Sequence, residues 1–120
     1  MNSKILELIN RRERQILVHA CCYYAFNENL ISDYQYDQLA TNLMELIKNN
    51  PKEFESSVYY YEFKDYAKEK TPSAYNLNYR SPEILNRAYS LILMERGLKN
   101  FTERDDWQWV KKKSLFLGFM

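Results

Sequence analysis

Two glycines and three prolines in 120 residues leave little material for tight hairpins, dinucleotide-binding turns or phosphate-cradling glycine loops. That shortage favours helices. The length allows one hydrophobic core but not a nucleotide domain plus a separate catalytic one. Charge of one sign is also missing: seventeen Lys and Arg against sixteen Asp and Glu give a net charge of +1, so no global field recruits nucleic acid or an anionic membrane. No apolar run approaches the roughly 18 to 20 residues that cross a bilayer, and Met1 is followed by Asn2, Ser3 and Lys4 rather than the apolar core of a signal peptide. The expectation is a cytoplasmic protein without a membrane partner. The only two cysteines, Cys21 and Cys22, are adjacent, a spacing that suits neither a zinc knuckle nor a redox pair and would strain a mutual disulfide. They are expected to be buried thiols. The single histidine, His19, lies two positions from Cys21, which does not face it, and three from Cys22; a partly buried structural histidine is the expected reading rather than a catalytic pair with either thiol. No metal-ligand spacing is present, so none of the residues is assigned to a metal.

What the chain does have is helical periodicity. From Ser3 to Phe26 no glycine or proline intervenes, and Ile5, Leu8, Ile9, Ile16, Ala20, Tyr23 and Phe26 recur at steps that place them on one face. After the polar connection Asn27, Glu28 and Asn29, Ser32 and Gln35 have the spacing of a capping box for a second helix. Tyr36, Leu39, Leu43, Leu46 and Ile47 form its apolar stripe, and Asn49, Asn50 and Pro51 stop it. Two long helices with a short connection make an antiparallel hairpin. Pro51 then suits the first turn of a third helix, with Phe54, Val58, Tyr61, Phe63 and Tyr66 pointing inward, although Tyr59, Tyr60 and Tyr61 suit an extended segment equally. The stretch from Lys68 to Arg80 has loop composition. Ser81 and Pro82 start a fourth helix, which Gly97 ends, and Thr102 can cap a last one through Trp107 and Val110. The fold expected is all-α: an N-terminal antiparallel helical hairpin (1–54) plus two or three further helices in a tyrosine-rich extension (55–120), one small domain of 1–120.

Chemistry concentrates at the start of the second helix. Asp33, Tyr36 and Asp37 stand at i, i+3 and i+4 and so share a face, while the end of the first helix supplies Tyr23 and Tyr24. Carboxylates accept ribose hydroxyl protons, and electron-rich rings attract a flat cationic one, so a nicotinamide nucleotide fits. The plainer alternative is that Asp33 serves the helix N-terminus and Tyr36 packs.

The run from Tyr23 to Leu39, YYAFNENLISDYQYDQL, with Leu43 to Ile47 and Asn50-Pro51 after it, resembles the N-terminal helical subdomain of bacterial NAD-dependent DNA ligases, whose pattern is Y-[YH]-x-x-D-x-P-x-I-[SP]-D-x-E-Y-D-x-L. The resemblance is gap-free and covers roughly residues 5–54. It implies a subdomain that grips the nicotinamide mononucleotide (NMN) half of NAD, with Tyr23, Tyr24, Asp33, Tyr36 and Asp37 as the ligand-binding residues. Asn27-Glu28-Asn29 replaces the family's D-x-P. The nucleotidyltransferase signature K-x-D-G is absent from all 120 residues, and with it the lysine that would be adenylated, so no catalytic residue is assigned.

Sequence therefore predicts a non-catalytic accessory or regulatory protein of bacterial or phage origin that requires no cofactor and takes NMN or NAD as a ligand. A second reading is a protein-binding module, such as a phage inhibitor of a host or defence protein, or a self-associating chain. Eleven tyrosines, six phenylalanines and two tryptophans exceed what the apolar stripes place inward. Tyr59, Tyr60, Tyr75 and Tyr79 are left for the surface and, with Tyr61, form the partner-binding set. A third reading is oligonucleotide binding through Trp107, Trp109 and Lys111 to Lys113, although Glu103, Asp105 and Asp106 nearly cancel that charge and favour a solvated basic helix end.

Overall fold

The computed structural model describes residues 1–66 and 77–97. Among these residues it is all-α with no strand: α1 (Ser3–Tyr24), α2 (Asp33–Asn49), α3 (Pro51–Glu55), α4 (Tyr60–Phe63) and α5 (Pro82–Glu95). Two compact units form, Met1–Leu17 with Ile31–Asn78 and Val18–Leu30 with Tyr79–Met120. The helix expected from Thr102, the apolar chain end and Tyr75 lie outside the described residues.

In the first unit Asn2 opens α1, its Oδ1 accepting the Lys4 and Ile5 N–H groups. Ile9, Ile16 and Leu17 of α1, Ala40, Leu43 and Ile47 of α2, and Phe54, Phe63 and Tyr66 are buried, the inward faces that helical spacing dictates. Arg12 Nε donates to Asn42 Oδ1 at 2.7 Å and ties the antiparallel α1 and α2 together. The capping box forms as expected: Ser32 Oγ accepts the Gln35 N–H at 3.1 Å and Gln35 Oε1 accepts the Ser32 N–H at 2.8 Å. Asn50 alone separates α2 from α3, which Pro51 opens.

The helix expected from Pro51 is broken. It stops at Glu55, turns through Ser56 to Tyr59 and restarts as α4. The turn resets the helical phase, so Val58 is 65% and Tyr61 81% exposed, a correction to the inward positions that spacing gave them.

In the second unit α1 ends at Tyr24, two residues before the expected Phe26. Its last turn widens, the Phe26 N–H reaching Cys21 O at 3.2 Å. Asn27 then takes a left-handed φ of 56°, a conformation asparagine tolerates better than most residues. Val18, Ala20, Cys21, Cys22, Ala25 and Phe26 are buried here with Ile84, Leu85, Ala88, Ile92 and Leu93 of α5. The Cys22 thiol meets the Ala88 carbonyl at 3.9 Å. Ser81 Oγ caps α5 by accepting the Ile84 N–H, and Gly97, at φ 70°, closes it.

Candidate functional site

The residues assigned to a nucleotide are divided between the units. Asp33, Tyr36 and Asp37 belong to the first and Tyr23 and Tyr24 to the second. Because the capping box fixes where α2 begins, Asp33 and Asp37 occupy its first two turns with both carboxylates exposed, and Tyr36 between them is half-buried. Tyr34 points to solvent on the same turn and accepts a hydrogen bond from Gln38 Nε2 at 2.7 Å. This face offers two hydroxyl-accepting carboxylates and an aromatic ring on a capped helix.

In the second unit the Tyr23 and Tyr24 rings meet edge to face, centroids 4.9 Å apart. Tyr24 stacks on Tyr79 at 5.5 Å, and the Arg80 guanidinium lies 5.3 Å from the centre of the Tyr79 ring. Tyr23, 52% exposed, and Tyr24, 38% exposed, are the rings in this group with surface to offer a ligand. Tyr79 is 6% exposed, which corrects its assignment to a partner surface: the stack on Tyr24 and the cover from Arg80 take it into the core of its unit.

Of the remaining tyrosines expected at the surface, Tyr59 and Tyr60 are half-buried, which corrects that expectation for both. Tyr60 packs edge to face against Phe54 at 4.9 Å and against Tyr61 at 5.3 Å. Tyr61 is outward, with the Lys64 ammonium 5.7 Å from its ring centre.

Cys21 and Cys22 are buried free thiols, as their spacing implied. Burial pushes each up to about 12, opposed at Cys21 by the Arg80 charge and reinforced at Cys22 by Cys21, so neither is a nucleophile near neutral pH. His19 is half-buried, and burial lowers its pKa against the pull of Glu95.

One group escaped the sequence reading. Glu13 is 0% exposed. Its Oε2 accepts from Ser57 Oγ at 2.9 Å and its Oε1 from the Tyr59 N–H at 3.3 Å. Burial raises its pKa from 4.5 to about 7, and the Ser57 and Tyr59 bonds hold it from going higher. The signal was present in the spacing: Ile9, Glu13, Ile16 and Ala20 recur at steps of four, three and four, which puts a carboxylate in the middle of an apolar stripe. Among the described residues no group of His, Cys, Asp or Glu is arranged to hold a metal ion, and no helix is long and apolar enough to cross a membrane. Comparisons with protein-family models, curated proteins and solved structures gave no match to this chain.

Proposed function

We propose that this chain is a non-catalytic accessory or regulatory protein that recognises a nicotinamide nucleotide, NMN or NAD. The observation that carries the reading is the capped start of α2, where Asp33 and Asp37 are exposed on one face with Tyr36 between them, in a gap-free run of ligase-like residues. Two carboxylates at helical spacing accept the two hydroxyl protons of a ribose. The ligase resemblance also assigns Tyr23, and the ring, exposed in the second unit, is of the kind a flat cationic pyridinium prefers. Nucleotide recognition without transfer follows from the missing K-x-D-G lysine.

Titration of NMN followed by calorimetry and amide chemical shifts tests this. Asp37→Ala and Tyr23→Ala should each weaken binding by about 1 to 3 kcal/mol, the usual loss of a charged hydrogen bond or an aromatic stack, with smaller changes in folded stability. No heat and no shift change with millimolar NMN would overturn the reading.

The exposure of Val58 and Tyr61 in the first unit favours a second reading, a protein-binding module or self-associating chain. An aromatic and an apolar side chain, both exposed and three residues apart in sequence, suit an interface anchor. Tyr61→Ala should then abolish concentration-dependent sedimentation or binding to a purified partner while helical content stays unchanged. A monomer whose contacts ignore Tyr61 would end that reading.

A further inference from the structure

The turn that breaks the chain between α3 and α4 is held by side chains of α1. The Ser57 N–H closes on Phe54 O and the Tyr60 N–H on Ser57 O, which leaves the Val58 and Tyr59 N–H groups to be satisfied from elsewhere. Asn10 Oδ1 takes the first at 2.8 Å and Glu13 Oε1 the second at 3.3 Å, while the Ser57 hydroxyl meets Glu13 Oε2 at 2.9 Å. Three consecutive residues are thus bound to two side chains one helical turn apart, and one of those side chains is a fully buried carboxyl.

We propose that Glu13 and the Ser57 to Tyr59 turn form a proton-operated latch, closed while the carboxyl carries its proton and loosened when it ionises.

The neutral carboxyl satisfies both partners. Its carbonyl oxygen accepts the Tyr59 N–H, and its hydroxyl pairs with the Ser57 hydroxyl, which donates or accepts as required. Ionisation leaves a charge away from water, which is costly without a cation beside it. Besides Glu13, the ionisable side chains of the elements in this unit are Lys4, Glu7, Arg11, Arg12 and Arg14 on α1, Asp33, Tyr34, Tyr36, Asp37, Glu45 and Lys48 on α2, Lys52, Glu53 and Glu55 on α3, and Tyr60, Tyr61 and Glu62 on α4, with the Tyr59 phenol on the turn itself and Lys64, Asp65 and Tyr66 just after α4. Arg12 is engaged with Asn42 and Gln15, Glu53 with the Asn2 N–H, and Lys64 with the Tyr61 ring. What acts on Glu13 is burial first, then the Ser57 hydroxyl and the Tyr59 N–H. The carboxylate regains water most cheaply by letting the turn swing out, which also frees the half-buried Tyr59 and Tyr60 rings. The midpoint near 7 puts the device where modest pH changes operate it.

The test is an amide chemical-shift titration of the full chain from pH 5 to 9. The Ser57, Val58 and Tyr59 signals should move together with a midpoint near 7, and the Tyr59 amide should lose exchange protection above it once intrinsic exchange is corrected. Glu13→Gln keeps an acceptor for Tyr59 and a donor for Ser57, so it should fold and show no titration at these amides. Ser57→Ala removes a bond that lowers the Glu13 pKa and should move the midpoint upward. The His19 ring protons, followed separately, should titrate alike in wild type and Glu13→Gln. Turn amides without a common midpoint, the same titration in Glu13→Gln, or an unmoved midpoint in Ser57→Ala would each overturn the latch.

Discussion

Ser32→Ala measures how much the start of α2 depends on its cap. Ser32 sits in extended backbone, φ −72° and ψ 161°, which alanine adopts without strain, so the substitution removes the hydroxyl and little else. The Gln35 N–H loses its 3.1 Å acceptor, while the reciprocal 2.8 Å bond from the Ser32 N–H to Gln35 Oε1 remains possible. Both residues are exposed, so water takes up the freed N–H. The cost is therefore that of a lost cap, about 1 kcal/mol, and not the larger penalty of a buried orphan donor.

Ser32→Gly should cost only a few tenths of a kcal/mol, because glycine leaves the N-terminus open to solvation. Gln35→Ala should also be small, since alanine's helix propensity offsets part of the lost bond. Reciprocal bonds couple their partners, so the double replacement should cost less than the sum. In urea unfolding followed by helical circular dichroism, 1 kcal/mol moves the midpoint by about 0.5 M at the slope usual for small domains. The thermal midpoint falls by about 4 °C. A Ser32→Ala protein as stable as wild type, or no better than one lacking both partners, would refute the reasoning. So would a loss well above 2 kcal/mol, which an exposed cap does not explain.

Arg12→Ala and Asn42→Ala should each destabilise by about 1 to 2 kcal/mol, the value of a part-buried hydrogen bond to a charged group, and a double-mutant cycle should show them to be coupled. Cys21 and Cys22, pushed up to about 12 by burial, should resist a thiol reagent at pH 8 in the native protein and react in full after denaturation; rapid native labelling would contradict their burial. Tyr79→Ala should cost about 3 kcal/mol as a large-to-small core change, whereas a surface tyrosine would cost little. With NAD and nicked DNA the chain should show no sealing and no labelled covalent adenylate.

The hairpin was legible because its signals are local. Ser32 and Gln35 cap α2 through residues three apart, and the stripe of Leu43 and Ile47 continues from there. The break after Glu55 was not legible, because Phe54, Val58 and Tyr61 keep helical spacing across it. What imposes the turn is Asn10 and Glu13, more than forty residues earlier. Tyr79 failed for a related reason: its ring is stacked by Tyr24, a partner that no pattern around Ser81 announces. The inward side of α1 is also wider than its periodic stripe predicts, with Leu17, Val18, Cys21 and Cys22 buried beside Ile16 and Ala20. Ile16 to Cys22 is apolar apart from His19, and a helix segment apolar on nearly every side is one buried on nearly every side.

Two inward titratable groups on α1, Glu13 and His19, pull stability in opposite directions with pH. Glu13, in the first unit, has a folded pKa of about 7 against 4.5, so the native state holds its proton more tightly than the unfolded chain does. Its contribution is complete below pH 4.5 and is lost as pH rises through about 7, an amount of about 3 kcal/mol at full loss. His19, in the second unit, has its pKa lowered by burial against the opposing charge of Glu95. Its contribution is present above 6.5 and is lost as pH falls below it, because the unfolded chain then binds the extra proton. Between pH 5 and 7 a wild-type unfolding curve therefore reports the difference of two slopes. Glu13→Gln should leave stability rising with pH in that window, and a neutral replacement at His19 should leave it falling. If each variant instead kept the wild-type pH dependence, neither group would be controlling it, and the buried carboxyl and the half-buried imidazole would have to be titrating as they do in water.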